Sequence, residues 1–355
     1  MSQNRSRLYF LKKPFATTSG GELAVTLSSS PGSLNLDRSG AGSQSVVSLG
    51  LSVAPSSMMS VALTSSDASV SVSPSTVTFG PGLALSFNVQ FSGSTFGPSM
   101  VTVTATPSDP AVSPKSVNVT RTALTLPVQT NVAMWLTADG GVIKRGGGFA
   151  ALTDDPVQGW QDLSTNGQNL SQATLSAQPL FKPTGLNGLP GVMFDGVDDL
   201  LTGVDGALPL GTSARTVVLV VKWNQFVSSY GGLSWGANSS NFTFGLVKWS
   251  GTSPNAGVQG WGTDYQSSYA IQAGTAFLWV ITLSGGVLNQ RINRSNVMFN
   301  TSAVLNTVSA NFRMGAETNT SGFQALTVSE LLVYNRLLSG SEITQLETYA
   351  SRWGV

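Results

Sequence analysis

The sequence predicts an all-β protein that closes with a single C-terminal helix. Segments in which apolar and polar residues alternate, such as VVSLGLSV and LALSFNVQF, recur along the chain, and this period of two is the pattern of a strand with one buried face. Clusters of Gly, Pro, Ser and Asp, such as SSSPGS and TPSDP, separate these segments and are typical of turns between strands. The two observations together predict β-sandwiches, and the C-terminal end departs from the pattern.

Residues 21–121 are predicted to form an immunoglobulin-like β-sandwich. The two segments quoted above place alternate apolar residues on one face, from Val47 to Val53 and from Leu83 to Phe91. Several short strands of this kind between turn clusters are typical of a sandwich. The segment contains neither the Cys pair nor the buried Trp of antibody domains, and its acids are scattered. We therefore expect a spacer or docking module.

The composition changes after residue 121. RTALTLPVQT contains the strand-breaking Pro127, which predicts a linker over residues 122–130. All eight Trp residues lie beyond position 130, and strands such as RTVVLVVKW and AFLWVITL are more aromatic than those before. Because 355 residues are enough for two domains, residues 131–355 are assigned to a second β domain.

The one predicted helix lies in LLSGSEITQLETYASRWGV. Ser339 and Glu342 have the spacing of a capping box, which satisfies unpaired N–H groups at a helix start. Gly354 can end the helix. Its apolar stripe consists of Ile343, Leu346, Ala350 and Trp353.

Four segments beyond residue 130 follow one another in a familiar order. They are MWLTADGGV (134–142), VQGWQDLSTNGQNLSQATLSAQPLF (157–181), GLNGLPGVMFDGVDDLLTG (185–203) and the final SELLVYNRLLSGSEITQLETYASRWGV. In order and approximate spacing they resemble the laminin-G-like, concanavalin-A-like jelly-roll domains. The resemblance implies a jelly-roll sandwich with a closing C-terminal helix over residues 131–355. Leu200 departs from it, since the family commonly has Tyr there.

The stretch VMFDGVDDLL gathers Asp195, Asp198 and Asp199 within five positions. Asp-Gly is a strong turn signal because Gly accepts a positive φ, and the resemblance places this stretch on a hairpin between two strands. The main interpretation is therefore turn chemistry. A calcium site is the second interpretation, since Ca²⁺ needs six or more oxygens that neighbouring carbonyls could complete. Catalysis is the third, and calcium is the one cofactor left open.

Composition excludes several function classes. The chain has no Cys and no His, which removes disulfides, thiolate nucleophiles and imidazole chemistry. With 10% charged residues and a net charge of +1 it has no global field for nucleic acid. Apolar runs are of strand size, far from the roughly 20 residues of a membrane span, so no membrane insertion is expected.

The sequence can be searched for the two neighbouring carboxyl groups that a glycosidase needs. Retaining glycosidases place two carboxyl groups about 5–5.5 Å apart, and the related glucanases carry them on a Glu-x-Asp-x-Glu strand that is missing here. The five Glu residues are isolated or lie on the terminal helix. The sequence therefore predicts a protein that is not an enzyme.

A glycan-binding site is predicted in the Gly- and Ser-rich segment 229–269. Aromatic faces bind the apolar side of a sugar ring, while amides and acids bind its hydroxyl groups. The alternative is that these aromatic residues pack in the core. Arg291 and Arg294, on a predicted hairpin without a neighbouring acid, are interpreted as a solvated face. The candidate glycan residues are Trp235, Asn238, Trp249, Asn255, Trp261, Asp264 and Tyr265.

Residues 1–20 are basic and too short for a domain, which predicts a docking extension. Leu8 to Leu11 is interrupted by two lysines, so no export signal is expected. A cationic segment with apolar anchors suits an acidic surface on a larger particle. The predicted docking residues are Arg5, Arg7, Leu8, Tyr9, Phe10, Lys12, Lys13 and Phe15.

The layout of tail, spacer and jelly-roll head resembles accessory virion proteins of tailed bacteriophages, such as capsid decoration proteins or tail and baseplate fibres. This resemblance implies a position on the exterior of the phage particle after assembly in the host cytoplasm. It also implies other virion proteins and cell-surface glycans as partners, and a homo-oligomer. The alternative is a bacterial cell-surface or secreted carbohydrate-binding adhesin, and a glycan hydrolase is a third hypothesis.

Overall fold

The computed structural model describes residues 23–28, 34–36, 43–67, 70–93, 100–121, 125–148, 150, 153–227, 230–249 and 254–355. Within these ranges the chain forms 26 strands and one α-helix, which confirms the predicted all-β class. No helix in these ranges is long and apolar enough to cross a membrane. The predicted docking residues between Arg5 and Phe15 lie outside the described residues, so their role stays a prediction.

The N-terminal part contains two sheets, with strand orders β1-β3-β7-β5 and β2-β9-β8-β4-β6. All pairings are antiparallel except that of β2 with β9. The strands are β1 (Val25–Ser28), β2 (Leu34–Leu36), β3 (Ser43–Leu51), β4 (Met59–Ser65), β5 (Val70–Ser73), β6 (Thr76–Phe79), β7 (Ser86–Gly93), β8 (Met100–Pro107) and β9 (Lys115–Arg121).

Alternation places the core of this part between the two sheets. Val47 and Leu49 are fully buried, as are Val89 and Phe91 on the neighbouring strand β7. The predicted face fails at Leu83, which precedes β7 and is 46% exposed. Alternate side chains are therefore buried on one face only within the paired strand, where the hydrogen bonds to the neighbouring strand fix the direction of each side chain.

The C-terminal part contains two larger sheets around a separate core. The first sheet contains β10 (Val132–Thr137), β14 (Leu180–Leu186), β15 (Leu189–Asp195), β17 (Arg215–Trp223), β22 (Ala276–Ser284), β23 (Val287–Ile292), β24 (Ser295–Asn300) and β26 (Ala325–Tyr334). The second sheet contains β11 (Val142–Lys144), β12 (Asp155–Trp160), β13 (Leu170–Ser171), β16 (Leu201–Val204), β18 (Gly232–Gly236), β19 (Thr243–Lys248), β20 (Asn255–Gln259), β21 (Tyr265–Ala270) and β25 (Asn311–Met314).

Strand β26 is the centre of the first sheet. It pairs with β17 along one side, and with β10 and then β15 along the other. All ten of its residues are buried, because the core lies on one face and the C-terminal segment covers part of the other. The two sheets meet at β12, which pairs with β11 and β13 in the second sheet and with β14 in the first.

Helix α1 (Gly340–Ala350) begins with the predicted capping box. The Glu342 N–H donates to the Ser339 hydroxyl, and the Glu342 carboxylate accepts the Ser339 N–H. Leu346 and Ala350 are buried as predicted. The 3₁₀ turn Ser351–Trp353 follows, and a second such turn lies at Leu175–Ala177.

A buried carboxylate ties this C-terminal segment to β26. Glu330 accepts from the Trp135 indole (3.1 Å) and the Tyr349 hydroxyl (2.9 Å) through Oε1. Its Oε2 accepts from the Trp353 indole (2.6 Å) and from Arg352 (3.0 Å). The carboxylate thus has four donors in the core and is structural.

One prediction about a connecting segment needs correction. Arg291 is ion-paired with Glu347 of α1 (3.0 Å) rather than being solvated, and Arg294 donates to the Glu347 carbonyl oxygen. In the predicted linker, Leu126 and Val128 are buried in the C-terminal core, and the Val128 carbonyl accepts from the Tyr334 hydroxyl. The described half of the linker, from residue 125, is therefore packed against residues 131–355.

Candidate functional site

The acid turn, residues 195–199, joins β15 to β16 and gathers its three carboxylates within 4.8 Å of one another. Asp195 Oδ1 accepts the Val197 N–H (2.8 Å) and, at 3.4 Å each, those of Asp198 and Asp199. Asp199 Oδ2 in turn accepts the Asp195 N–H (2.8 Å). Gly196 takes a φ of 81°. The turn interpretation expects Asp198 and Asp199 to accept the turn amides; Asp199 accepts one, and Asp195 accepts the others.

Burial raises the pKa of the Asp199 carboxyl to about 7. The hydrogen bond from the Asp195 amide lowers this pKa, while the charges of Asp195 and Asp198 raise it further. A carboxyl that is easily protonated and already accepts a backbone amide is a weak cation ligand. The three carboxylates are close enough to share a Ca²⁺ ion, but Asp195 Oδ1 and Asp199 Oδ2 already accept hydrogen bonds from backbone amides.

Two of the predicted glycan residues are core residues, which corrects the prediction for them. Trp235 is fully buried, packs against Phe244 with ring centroids 4.6 Å apart, and donates its indole N–H to the Pro209 carbonyl (3.2 Å). Tyr265 is buried, and its hydroxyl accepts the Val304 N–H (2.7 Å). Both occupy the inward positions of their strands, so neither ring reaches a surface ligand.

The remaining predicted residues divide between two ends of the second sheet. Trp249 follows β19 and packs edge-on against Tyr230 with ring centroids 5.2 Å apart. Asn255, at the start of β20, donates to the Ser267 carbonyl. The structure therefore separates Trp249 and Asn255 from Asn238, Trp261 and Asp264, which follow the opposite ends of these strands.

Asn238, Trp261 and Asp264 lie on the tip loops, residues 237–242 and 260–264. The loops are joined by the Asn241 N–H, which donates to the Gly260 carbonyl (2.6 Å). Asn238 and Asp264 are exposed, and Trp261 is half-buried. This part of the predicted site is assembled on neighbouring loops at the surface.

Asp264 holds the Trp261 loop in an unusual conformation. Its carboxylate accepts the Gly260 N–H (2.9 Å), and hydrogen bonds from the amides of residues 260–262 lower a pKa that burial raises. Trp261 has a φ of 60°, a region that bulky side chains rarely adopt. Strain of this kind persists where the surroundings enforce it and is concentrated at ligand sites.

A second group of polar residues crosses the outer face of the second sheet, opposite the core. Cross-strand pairing places them in one row: Thr202 with Arg313, Arg313 with Ser234, Ser234 with Gly245, and Gly245 with Gln259. Sequence reasoning missed this polar row because its members come from five strands. The sequence contained one signal: Ser234 lies between the core residues Leu233 and Trp235, so its side chain must point to the opposite face of the sheet.

A strap, residues 315–324, covers the middle of the polar row. Glu317 Oε1 accepts from the Gln259 amide (2.8 Å), and Arg313 donates to the Thr318 carbonyl oxygen. Burial raises the pKa of Glu317; hydrogen bonds from Gln259 and Ser321 lower it, and the charge of Asp264 raises it again. Because Glu317 contacts Gln259, which immediately precedes the tip loop 260–264, the strap lies close to the tip loops.

Four buried polar atoms of the row and strap find no hydrogen-bond partner among the described residues. They are Ser234 Oγ, Gln259 Oε1, Arg313 Nε and Thr318 Oγ1. Buried polar atoms are almost always paired, and an unpaired one costs about 1–3 kcal/mol. Four in one place mark a site with unused hydrogen-bonding capacity.

No family model matches the chain, and no curated protein matches it. Domain 4 of an extracellular GH43 arabinanase from Geobacillus stearothermophilus, in complex with arabinotriose, is similar at 20% identity and a TM-score of 0.42, covering 53% of this chain and 92% of that one. An arabinofuranosidase complexed with arabinofuranosyl-alpha-1,2-xylobiose is similar at 12% identity and 0.49, covering 65% and 61%. The binding domain of Paraclostridial Mosquitocidal Protein 1 is similar at 13% identity and 0.46, covering 64% and 55%. Likenesses of this degree carry no argument about the function of this chain.

Proposed function

We propose that this protein is a non-enzymatic, glycan-binding structural protein of a phage virion, exposed on the outside of the particle and anchored by its N-terminal tail. The observation that supports glycan binding most directly is the Trp261 loop. Trp261, half-buried and in a left-handed backbone conformation, lies on a turn closed by Asp264. This turn is hydrogen-bonded to the loop that carries the exposed Asn238. Aromatic faces, amides and carboxylates are the groups that bind sugars.

The state of the acids supports binding without hydrolysis. Glu330, Glu342 and Glu347 are each ion-paired with an arginine. Glu317 accepts hydrogen bonds from Gln259 and Ser321, and Asp264 closes its own turn. Each of these carboxylates is committed to a structural partner, whereas hydrolysis needs one acid and one base free to meet the scissile bond.

The test is a glycan array probed with the full chain, followed by titration of the best ligand. Trp261→Ala is expected to weaken binding at least about tenfold, because it removes the stacking surface. Trp249→Ala is the matched control: it truncates another partly exposed Trp, at the opposite end of the second sheet, and should bind like the wild type. Loss of binding only in Trp249→Ala, or no glycan bound at all, would contradict the proposal. Release of new reducing ends from the bound glycan would contradict the non-enzymatic part.

The virion role depends on the tail and is tested separately. The full chain and a chain lacking residues 1–20 are added to phage particles assembled without this protein, and both are followed by co-sedimentation. We expect only the full chain to sediment with particles, because the basic and aromatic tail residues supply the contacts. Attachment of the truncated chain would refute the anchoring role. Detection of the protein on a bacterial surface in the absence of particles would favour the adhesin.

A further inference from the structure

The unpaired atoms of the polar row define what the site can recognise. Arg313 Nε is a donor, Gln259 Oε1 is an acceptor, and the hydroxyls of Ser234 and Thr318 can do either. A ligand that both donates and accepts along its length satisfies such a mixed set. The Glu317 carboxylate and the Arg313 guanidinium lie on this face and balance each other in charge, which favours neither an anionic nor a cationic ligand. The pattern therefore fits a neutral, hydroxyl-rich chain.

Gly245 leaves room for such a ligand in the middle of the row. A Cβ atom at this position would lie 3.2 Å from Gln259 Oε1 and 3.4 Å from the Ser234 Cβ. Glycine within a strand weakens the strand and is often found where a ligand or another backbone approaches closely. Here the absence of a side chain keeps the space between two unpaired polar groups free.

The row is too long for one sugar and is open at one end. Four inter-strand spacings separate Thr202 from Gln259, which gives roughly 19 Å. At the Thr202 end lies a cavity of about 430 Å³, lined among others by Ser171, Thr202 and Asn311. At the other end β20 passes directly from Gln259 into the tip loop that carries Trp261. A chain bound at Trp261 would be continuous with the row.

The strap is anchored at both ends and forms a compact loop between them. The Gly315 N–H donates to the Gly232 carbonyl (2.8 Å), and the Gln324 side chain donates to the Tyr230 carbonyl (2.8 Å). The tip of the strap is closed on itself, since the Glu317 N–H donates to the Ser321 carbonyl and the Thr320 N–H to the Glu317 carbonyl. Gly315 and Gly322 flank this tip with φ values of 101° and 64°. The side chains of Gln259 and Arg313 link this tip, rather than the anchored ends, to the sheet. Loops of this design close over ligands in many proteins.

We propose that the polar row is a subsite for a neutral oligosaccharide, which extends from the Trp261 loop toward Thr202 while the strap lifts to admit it and closes over it. The proposal rests on the proposed glycan-binding function and adds to it a ligand class and a second set of contacts. It makes chain length, rather than the identity of one terminal sugar, the determinant of affinity.

The test is the double variant Ser234→Ala, Thr318→Val, titrated by calorimetry with the neutral oligosaccharide that the wild type binds best and with its terminal monosaccharide. The variant removes only two buried hydroxyls that have no partner, so its Tm should equal or exceed that of the wild type. Its affinity for the oligosaccharide should fall about tenfold or more, through two lost hydrogen bonds, with no change for the monosaccharide.

Ser329→Ala is the matched control. Ser329 is equally buried but lies on the first sheet, and its hydroxyl donates to the Pro190 carbonyl (2.7 Å); this variant should lose stability and keep wild-type affinity. Equal oligosaccharide affinity in the wild type and the double variant, with binding still lost in Trp261→Ala, would overturn the subsite and leave the proposed function intact. No binding of any neutral oligosaccharide by the wild type would overturn both.

Discussion

The acid turn and the polar row are both dense clusters of polar side chains, yet they use their hydrogen-bonding capacity in opposite ways. In the acid turn, Asp195 and Asp199 accept the backbone amides of the turn itself. In the polar row, buried atoms such as Ser234 Oγ and Gln259 Oε1 have no partner among the described residues. On the proposed function, a group of unpaired buried atoms marks the ligand site, and the density of charge does not.

The largest effect is expected at Glu330, whose two carboxylate oxygens each accept two hydrogen bonds. Glu330→Ala removes the acceptor of four donors and leaves Arg352 without one of its two carboxylates, the other being Asp139. Breaking a buried ion pair from one side costs about 3–5 kcal/mol, and we expect a loss of that order in denaturant unfolding. Glu330→Gln keeps the size and one acceptor and should lose less. A loss under about 1 kcal/mol for Glu330→Ala would show that satisfied clusters are not what stabilises this fold.

A smaller loss is expected in the acid turn. Asp195→Ala removes the acceptor of the Val197 N–H, and loss of a comparable side-chain cap costs about 0.5–2 kcal/mol. Asp195→Asn retains an acceptor oxygen and should stay within about 0.5 kcal/mol of the wild type. Both variants should bind glycan normally. Weakened glycan binding by Asp195→Ala at unchanged stability would mean that the turn contacts the ligand.

The sequence predicts those features of the structure whose contacts join residues close together in the chain. The capping box of Ser339 and Glu342 and the turn at Asp195 were predictable because their partners lie within a few residues of each other. Trp235 and Trp261 lie in equally Gly-rich segments, so their local sequence does not distinguish them. Trp235 is a core residue because its position in β18 points inward, whereas Trp261 lies in a loop. The polar row depends on the register of strands as distant in the chain as those of Thr202 and Arg313, which a single sequence does not encode locally.

Acid titration extends the comparison to the start of α1. Hydrogen bonds from Arg336, then from the Ser339 amide and hydroxyl, lower the pKa of Glu342 to about 2 from an ordinary value of 4.5. Because the folded-state pKa lies below the unfolded one, this group stabilises the fold above about pH 4.5 and loses that contribution as the pH falls toward 2. Glu342→Gln should therefore show a shallower loss of Tm over this range than the wild type. If the Tm of both proteins fell equally between about pH 4.5 and 2, ionised Glu342 would not stabilise the fold.

The smallest effect is expected from calcium, and it is the one that could reverse the comparison. A calcium site needs six or more oxygens with free lone pairs, whereas Asp195 Oδ1 and Asp199 Oδ2 already accept amides and the pKa of Asp199 is raised to about 7 by burial. We expect the Tm in millimolar calcium and in chelator to agree within about 1 °C. A Tm that rises with calcium concentration follows from binding to the folded state alone. If that rise occurred and disappeared in Asp195→Asn, the acid turn would be a ligand site, and satisfied hydrogen bonds would no longer separate structural from functional clusters.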